Sequence, residues 1–182
     1  LAVAWDLSRN TFRREMYAEY KGNRTETLEP LKDQFILCQN VLKRMNIPQF
    51  MDERFEADDF CGSLSKKFES EVPVRILTKD NDYLQLVTDR TNLWMMHTTV
   101  EKTDELFKKY QLNKNEMNIP ERAFCFTPTL VEQEFGVPPE HINSLKGLMG
   151  DTSDNIKGVA GIGPATAVKL IQEYGTVENL YR

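Results

Sequence analysis

The stretch Ile47–Asp82, IPQFMDERFEADDFCGSLSKKFESEVPVRILTKDND, holds two short apolar runs, each followed by acids, with an amphipathic segment between them. IPQFM and PVRILT have the length and composition of strands, while Ala57, Phe60, Cys61, Leu64 and Phe68 recur at helical spacing. Strand, helix and strand in that order predict a unit of an α/β fold. The pattern extends upstream. LAVAWD (Leu1–Asp6) is a nearly continuous apolar run closed by an acid, which suits a buried parallel strand. From Leu28 onward Leu31, Phe35, Cys38, Leu42 and Met45 mark an amphipathic helix ending near Asn46. NLWMMH reads as one more strand. The expectation is an α/β fold with a mainly parallel sheet and flanking helices.

After His97 the pattern turns helical and loop-like, through TDELFKKY, TPTLVEQEFG, PPEHINSLKGLMG and PATAVKLIQEYG. NIPERAF is a short extended piece among them. Gly136 and Gly175 stand where helices stop, and Pro128 suits a first helical turn. The 182 residues are 40% hydrophobic and 28% charged, enough to build a core, which excludes disordered and coiled-coil classes. No apolar run reaches the length of a bilayer span, and the three cysteines form no CxxC pair. These features point to reduced thiols, a cytoplasmic setting and no membrane partner. The net charge of −5 by itself argues against nucleic acid.

The distribution of the acids changes that argument. Ligands in open α/β sheets gather at the carboxyl ends of strands. Asp6 follows LAVAW; Glu56, Asp58 and Asp59 follow IPQFM; Asp80 and Asp82 follow VRIL; Asp151 and Asp154 stand in GDTSDN. In isolation FEADDF is a helix cap and DTSDN an Asx turn. Recurrence at three strand ends favours a shared site. Carboxylates so crowded need cations, and an all-oxygen donor set selects Mg²⁺ or Mn²⁺. Two such ions suit in-line phosphodiester cleavage. Removing these eight candidates from the 28 acids leaves 20 against 23 Lys and Arg, so the remainder is basic by three charges.

Two further stretches fit a nucleic-acid partner. GVAGIGPATA sets Gly158, Gly161 and Gly163 before Pro164 and a helix, a seat for an anion on bare backbone, with Lys157 and Lys169 nearby in sequence; a plain structural turn is the alternative. RNTFRREMYAEYKGNR interleaves Arg13, Arg14, Lys21 and Arg24 with Phe12, Tyr17 and Tyr20, which suits single-stranded nucleic acid as well as a solvated helix face.

VAWD, TFRREMYAEYKGNR, FEADDFCGSL, LTKDNDYLQLV and LKGLMGDTSDNIKGVAGIGPATAVKLIQEYG, in that order, resemble the motifs of the 5′–3′ exonuclease and flap endonuclease family, which includes the N-terminal domain of bacterial DNA polymerase I. The resemblance implies a PIN-like catalytic core with a helical arch, expected over 1–135, and a helix-three-turn-helix gripping duplex DNA, expected over 136–182. It implies one metal site at Asp6, Glu56 and Asp58 with Asp59 beside it, and a second at Asp80, Asp82, Asp151 and Asp154. Lys21 and Arg24 become catalytic cations. Arg13, Tyr20, Lys21 and Arg24, with Lys157, Gly158, Gly161, Gly163 and Lys169, become DNA-binding residues, and the glycine turn a site for a monovalent cation such as K⁺. The implied activity is cutting of DNA at a 5′ flap, nick or free 5′ end in replication and repair, by a monomer of the bacterial cytoplasm and nucleoid. Polymerase domains beyond Arg182 are implied partners. The family begins with a strand bearing another metal-binding aspartate, so Leu1 reads as the start of a fragment. A non-cleaving DNA-structure-binding module is the alternative; a PIN-like RNA nuclease is a third possibility. Lys79, Asn81 and Ala165 depart from the usual family residues, and no family motif is matched over 100–126.

Overall fold

The computed structural model describes residues 1–182. They fall into two compact units that interleave along the chain, Leu1–Leu64 with Asp151–Lys157, and Ser65–Gly150 with Gly158–Arg182.

In the first unit β1 (Val3–Ala4) pairs in parallel with β2 (Gln49–Phe50), Val3 opposite Gln49 and Ala4 opposite Phe50. Parallel neighbours need a long crossover. Here it contains the short helix α1 (Phe12–Met16), a run of turns through Asn23, and α2 (Glu29–Arg44). Pro30 stands in the first turn of α2, where its missing N–H costs nothing. Helix α2 meets the strands through Trp5, whose ring stands edge-on to Phe35 at 6.2 Å and whose Nε1 donates to Gln49 Oε1 at 2.8 Å. Gln49 in turn donates to the Gln39 carbonyl at 3.0 Å. The helix forms where its spacing predicts, yet none of its residues is buried, and Leu31, Phe35 and Met45 of the expected apolar stripe stay exposed. Helix α3 (Ala57–Phe68) starts in this unit with Asp58 and Asp59 in its first turn and Lys66 and Lys67 in its last, matching its dipole at both ends. Phe55 and Phe60 pack with Phe12 and Phe50 beneath that start.

The second unit is built on three strands in the order β3 (Val74–Thr78), β4 (Thr91–Met96), β5 (Ala123–Phe126). β3 and β4 are parallel, linked through a 3₁₀ turn at Asn81–Leu86; β5 runs antiparallel to β4, with Leu93 opposite Phe126. The sheet is therefore mixed; of the extended piece expected at NIPERAF only Ala123 and Phe124 are strand, the residues before them form a bend and a turn, and the strand runs on to Phe126, antiparallel to β4. Thr91, Leu93 and Met95 point inward while their neighbours are half-buried, the two-residue period of a strand. Helix α4 (Val100–Lys109) and α5 (Pro128–Phe135) flank β5, and Glu134 accepts from Lys109 at 2.7 Å and from the Tyr110 hydroxyl to fasten them. Phe124 is fully buried between Phe107 and Phe126, with ring centroids 5.2 and 5.0 Å away. Helices α6 (Ile142–Met149), α7 (Pro164–Tyr174) and α8 (Val177–Leu180) complete the unit, burying Ile142, Leu145, Leu148, Ala167 and Ile171. Gly136 (φ 76°) and Gly175 (φ 79°) end α5 and α7 in the left-handed region, as their positions predicted.

Candidate metal and nucleic-acid site

The buried centre of the first unit is polar. Thr11, Tyr20, Glu56 and Asp154 are its buried residues, each no more than 7% exposed. Glu56 immediately precedes α3, and its carboxylate collects three donors: the Thr11 hydroxyl at 3.3 Å, the Tyr20 hydroxyl at 3.0 Å and the Lys21 ammonium at 2.9 Å. Thr11 stands before the first turn of α1 but does not cap it; its hydroxyl is turned to Glu56 instead. Tyr20 also lies 3.1 Å from Asp154, so one phenolic proton serves two carboxylates. Burial, then the charges of Glu56 and Asp154, hold that phenol far above its ordinary range.

Asp154 is fixed from the other side by Arg24, 2.6 Å from its Oδ1. The loop bearing it is tied to the 17–24 turns by Lys21 N–H to the Asp154 carbonyl (2.9 Å), Asn23 to the Thr152 carbonyl (2.9 Å) and Asn155 to the Glu19 carbonyl (2.8 Å). Lys21 itself adopts a positive φ of 52°, with its amide on the Asp154 carbonyl and its ammonium on Glu56. Asp151 accepts from the Ser153 amide at 2.8 Å and hydroxyl at 2.5 Å, the Asx turn that such a sequence forms. Asp6, at the end of β1, accepts the Ala57 amide at 2.8 Å, and Asp59 accepts the Glu56 amide at 2.9 Å, so two acids serve the amino end of α3. Asp59 also meets Arg13 through two parallel bonds of 2.7 and 2.8 Å. That pairing holds the Asp59 carboxyl below its usual range and pushes Arg13 further up.

In the second unit Asp80 caps the 3₁₀ turn, accepting the Asp82 amide at 2.9 Å, and Asp82 accepts from Lys146 on α6. Gly158 approaches the Met149–Gly150 backbone closely, Gly161 has φ 82°, and Gly163 precedes α7 with open space beside its Cα. Lys169 and the three glycines are exposed; so is Lys157 of the first unit.

The structure thus brings Asp6, Glu56 and Asp59, with Asp151 and Asp154, into one bonded neighbourhood with Arg13, Tyr20, Lys21 and Arg24. Sequence reasoning missed Thr11 and Lys146. Thr11 carries no local signal, since its role depends on a partner 45 positions away. Lys146 left a faint one, as the lone charge in INSLKGLM. The donors in this neighbourhood are oxygens without histidine or thiolate, which fits a hard divalent ion, and Lys21 and Arg24 supply the positive charge that these acids require.

A buried carboxylate network of this kind, on an α/β core followed by helices, is an arrangement that hard divalent ions fit. The chain belongs to the 5′-3′ exonuclease family: residues 1–115 match its N-terminal resolvase-like domain and residues 137–182 its C-terminal SAM fold. It is 40% identical over 181 residues to DNA polymerase I of Bacillus caldotenax, covering 99% of this chain and 18% of that protein. It is 33% identical over 180 residues to a 5′-3′ exonuclease of Mycoplasma pneumoniae, covering 98% and 55%. The chain therefore spans between about a fifth and about half of these curated relatives. Among solved structures the bacteriophage T5 D15 protein co-crystallized with metal ions superposes with a TM-score of 0.72 at 26% identity, over 97% of this chain and 62% of that one. The catalytic core of Rad2 in complex with DNA substrate shares the fold, with a TM-score of 0.55 at 19% identity, covering 97% and 47%.

Proposed function

We propose that this chain is the 5′ nuclease part of a DNA-processing enzyme, which hydrolyses phosphodiester bonds at 5′ flaps, nicks or free 5′ ends with two Mg²⁺ or Mn²⁺ ions. The observation that carries the proposal is the buried polar centre, in which Glu56 and Asp154 are joined by Tyr20 and neutralised by Lys21 and Arg24. Burying two carboxylates on one phenol is costly, and that cost favours a functional role beside the structural one. Family membership supplies the matching chemistry.

Asp6, Glu56, Asp58, Asp151 and Asp154 are the proposed metal ligands of the first unit, with Asp59 beside them; Asp80 and Asp82 are those proposed in the second. Bound there, divalent ions would activate water at neutral pH and offset charge on the departing oxygen. The protein's own contribution is positional. Lys21 and Arg24 neutralise Glu56 and Asp154 in the present arrangement, and the same cations are proposed to turn to the substrate phosphate, adding charge where it develops. Gly158, Gly161 and Gly163, with Lys157 and Lys169, are proposed to seat duplex phosphates, and a monovalent cation such as K⁺ is proposed at that turn. DNA and polymerase domains like those of the relatives are the proposed partners, for a monomer in the bacterial cytoplasm. No helix is long and apolar enough to cross a membrane.

The test is a labelled 5′-flap duplex incubated with the protein in Mg²⁺, Mn²⁺ or EDTA, beside Asp154→Asn. Cutting that needs the metal and is lost in Asp154→Asn, with flap binding retained, is the expected result. Flap binding without cutting under any metal would make the protein a structure-recognition module, and cutting unaffected by Asp154→Asn would sink the site assignment.

A further inference from the structure

Arg13 and Asp59 form a two-pronged ion pair in the first unit, next to the buried Glu56. Both guanidinium nitrogens are used, NH1 on Asp59 Oδ2 at 2.8 Å and NH2 on Oδ1 at 2.7 Å, the two-pronged geometry that only arginine provides. The pair is about three-quarters shielded on the Asp59 side, and Arg13 is further braced by the Phe12 ring, 4.7 Å from its guanidinium carbon. Phe12 leans on Phe55, two positions before α3 begins, so the arginine end of the strut rests on two packed rings. Oδ2 of Asp59 has a second duty, accepting the Glu56 amide at 2.9 Å. That bond fixes the backbone of the residue whose carboxylate heads the polar centre.

We propose that Arg13 and Asp59 are positioning residues, a strut that sets the Glu56 carboxylate for metal by locking the amino end of α3, and that Arg13 acts through Asp59 and not on DNA phosphate. The inference rests on the nuclease reading for its metal, but the strut itself is a statement about this chain. Its geometry explains why an arginine is placed among aromatic residues so close to the site. Arg13 NH1 lies 3.8 Å from Glu56 Oε2, an ion-pair distance beyond hydrogen-bond reach, so it touches that carboxylate directly only as a charge and holds its position through Asp59 and the backbone.

The competing assignment, in which Asp59 is itself a metal ligand and Arg13 only occupies it, predicts the opposite sign. Mn²⁺ binding to the DNA-free protein, followed by electron paramagnetic resonance, separates the two. For a strut, Arg13→Gln and Asp59→Asn each weaken Mn²⁺ about 10–100-fold, the range for partners that orient ligands, and the double variant is no worse than either single. Arg13→Lys, which keeps the charge but not the fork, restores little. Tighter Mn²⁺ in Arg13→Gln alongside weaker Mn²⁺ in Asp59→Asn would overturn the proposal. Hydrogen exchange of the Glu56 amide, measured in EDTA, gives the metal-free readout: it accelerates in Arg13→Gln if the strut is real and is unchanged if it is not. A wild-type protein that fails to bind Mn²⁺ would count against the nuclease reading and leave the exchange result to decide the strut.

Discussion

Replacing Gly158 by alanine should be far more damaging than replacing Gly163, although both belong to one glycine-rich turn. A Cβ on Gly158 would lie 2.3 Å from the carbonyl carbon and oxygen of Met149 and 2.5 Å from the Gly150 nitrogen. These are backbone atoms, which cannot rotate away. Restoring a contact of roughly 3.4 Å requires the two segments to separate by about 1 Å, given that carbon atoms pack best at about 3.5–4.0 Å. The Val159 amide, which reaches the Leu148 carbonyl at 2.9 Å, would be pulled beyond bonding range. Overpacking strain of about 1–3 kcal/mol and a lost hydrogen bond of about 1 kcal/mol give a destabilisation of roughly 2–4 kcal/mol. At Gly161, where φ is 82° and space is open, alanine should cost about 1–2 kcal/mol through the left-handed backbone alone. At Gly163, with nothing within 4 Å and an ordinary φ of −91°, the change should stay within about 0.5 kcal/mol. Urea unfolding followed by Trp94 fluorescence in a Trp5→Phe background reads the second unit by itself. The reasoning is refuted if Gly158→Ala unfolds within about 0.5 kcal/mol of its parent, or if Gly163→Ala is the worst of the three. A Gly163→Ala protein of unchanged stability that binds duplex DNA more weakly would add support for the anion seat.

Phe124→Ala removes a ring in contact with three neighbouring aromatic rings and should cost about 3–5 kcal/mol in the second unit, seen as a shifted urea midpoint with unchanged slope. Tyr20→Phe deletes the phenol between Glu56 and Asp154 and should lower the stability of the first unit by about 1.5–3 kcal/mol in EDTA, read by Trp5 fluorescence; no change would mean that the network is decorative. Glu69 accepts from Lys66 at 3.0 Å, Thr88 at 2.9 Å and Thr91 at 3.0 Å, and these bonds, Lys66 first, hold its folded carboxyl below the ordinary value. A depressed folded pKa stabilises above the unfolded value and loses that contribution as pH falls through the folded one. Glu69→Gln should therefore be less stable than its parent near pH 7, with the gap closing as pH falls below the ordinary carboxylate range; a gap that widens in acid would contradict the assignment.

The periodic parts of the molecule were legible in the sequence. Helix α2, α3, the strands at VRILT and NLWMM, and the stops at Gly136 and Gly175 follow from spacing and from backbone preference, which are local properties. What the sequence did not disclose depends on partners far along the chain. The antiparallel pairing of β5 with β4 is one case, because a four-residue run such as AFCF carries no sign of its direction. The exposure of the α2 stripe is another: a 3.6-residue period states that a face could be buried, not that it is. In the site, carboxylates were readable as strand-end residues, but their partners were not. The bond of Arg13 to Asp59 joins positions 46 apart and that of Lys146 to Asp82 spans 64, so neither pairing was visible in the local sequence.

The polar centre of the first unit has a consequence for how this protein can change over evolutionary time. The hydrophobic core around Phe124 can drift, since cores accept exchanges that conserve volume and pattern. Thr11, Tyr20, Glu56 and Asp154 allow no such exchange, because each holds a specific atom of another and a half-satisfied polar network is worse than none. Folding and the proposed metal chemistry would there draw on the same four side chains. A lineage that lost the proposed cutting would still need the Thr–Tyr–Glu–Asp set to fold this unit, so the set would outlast the activity, and its survival in a relative would report on the fold before it reported on catalysis.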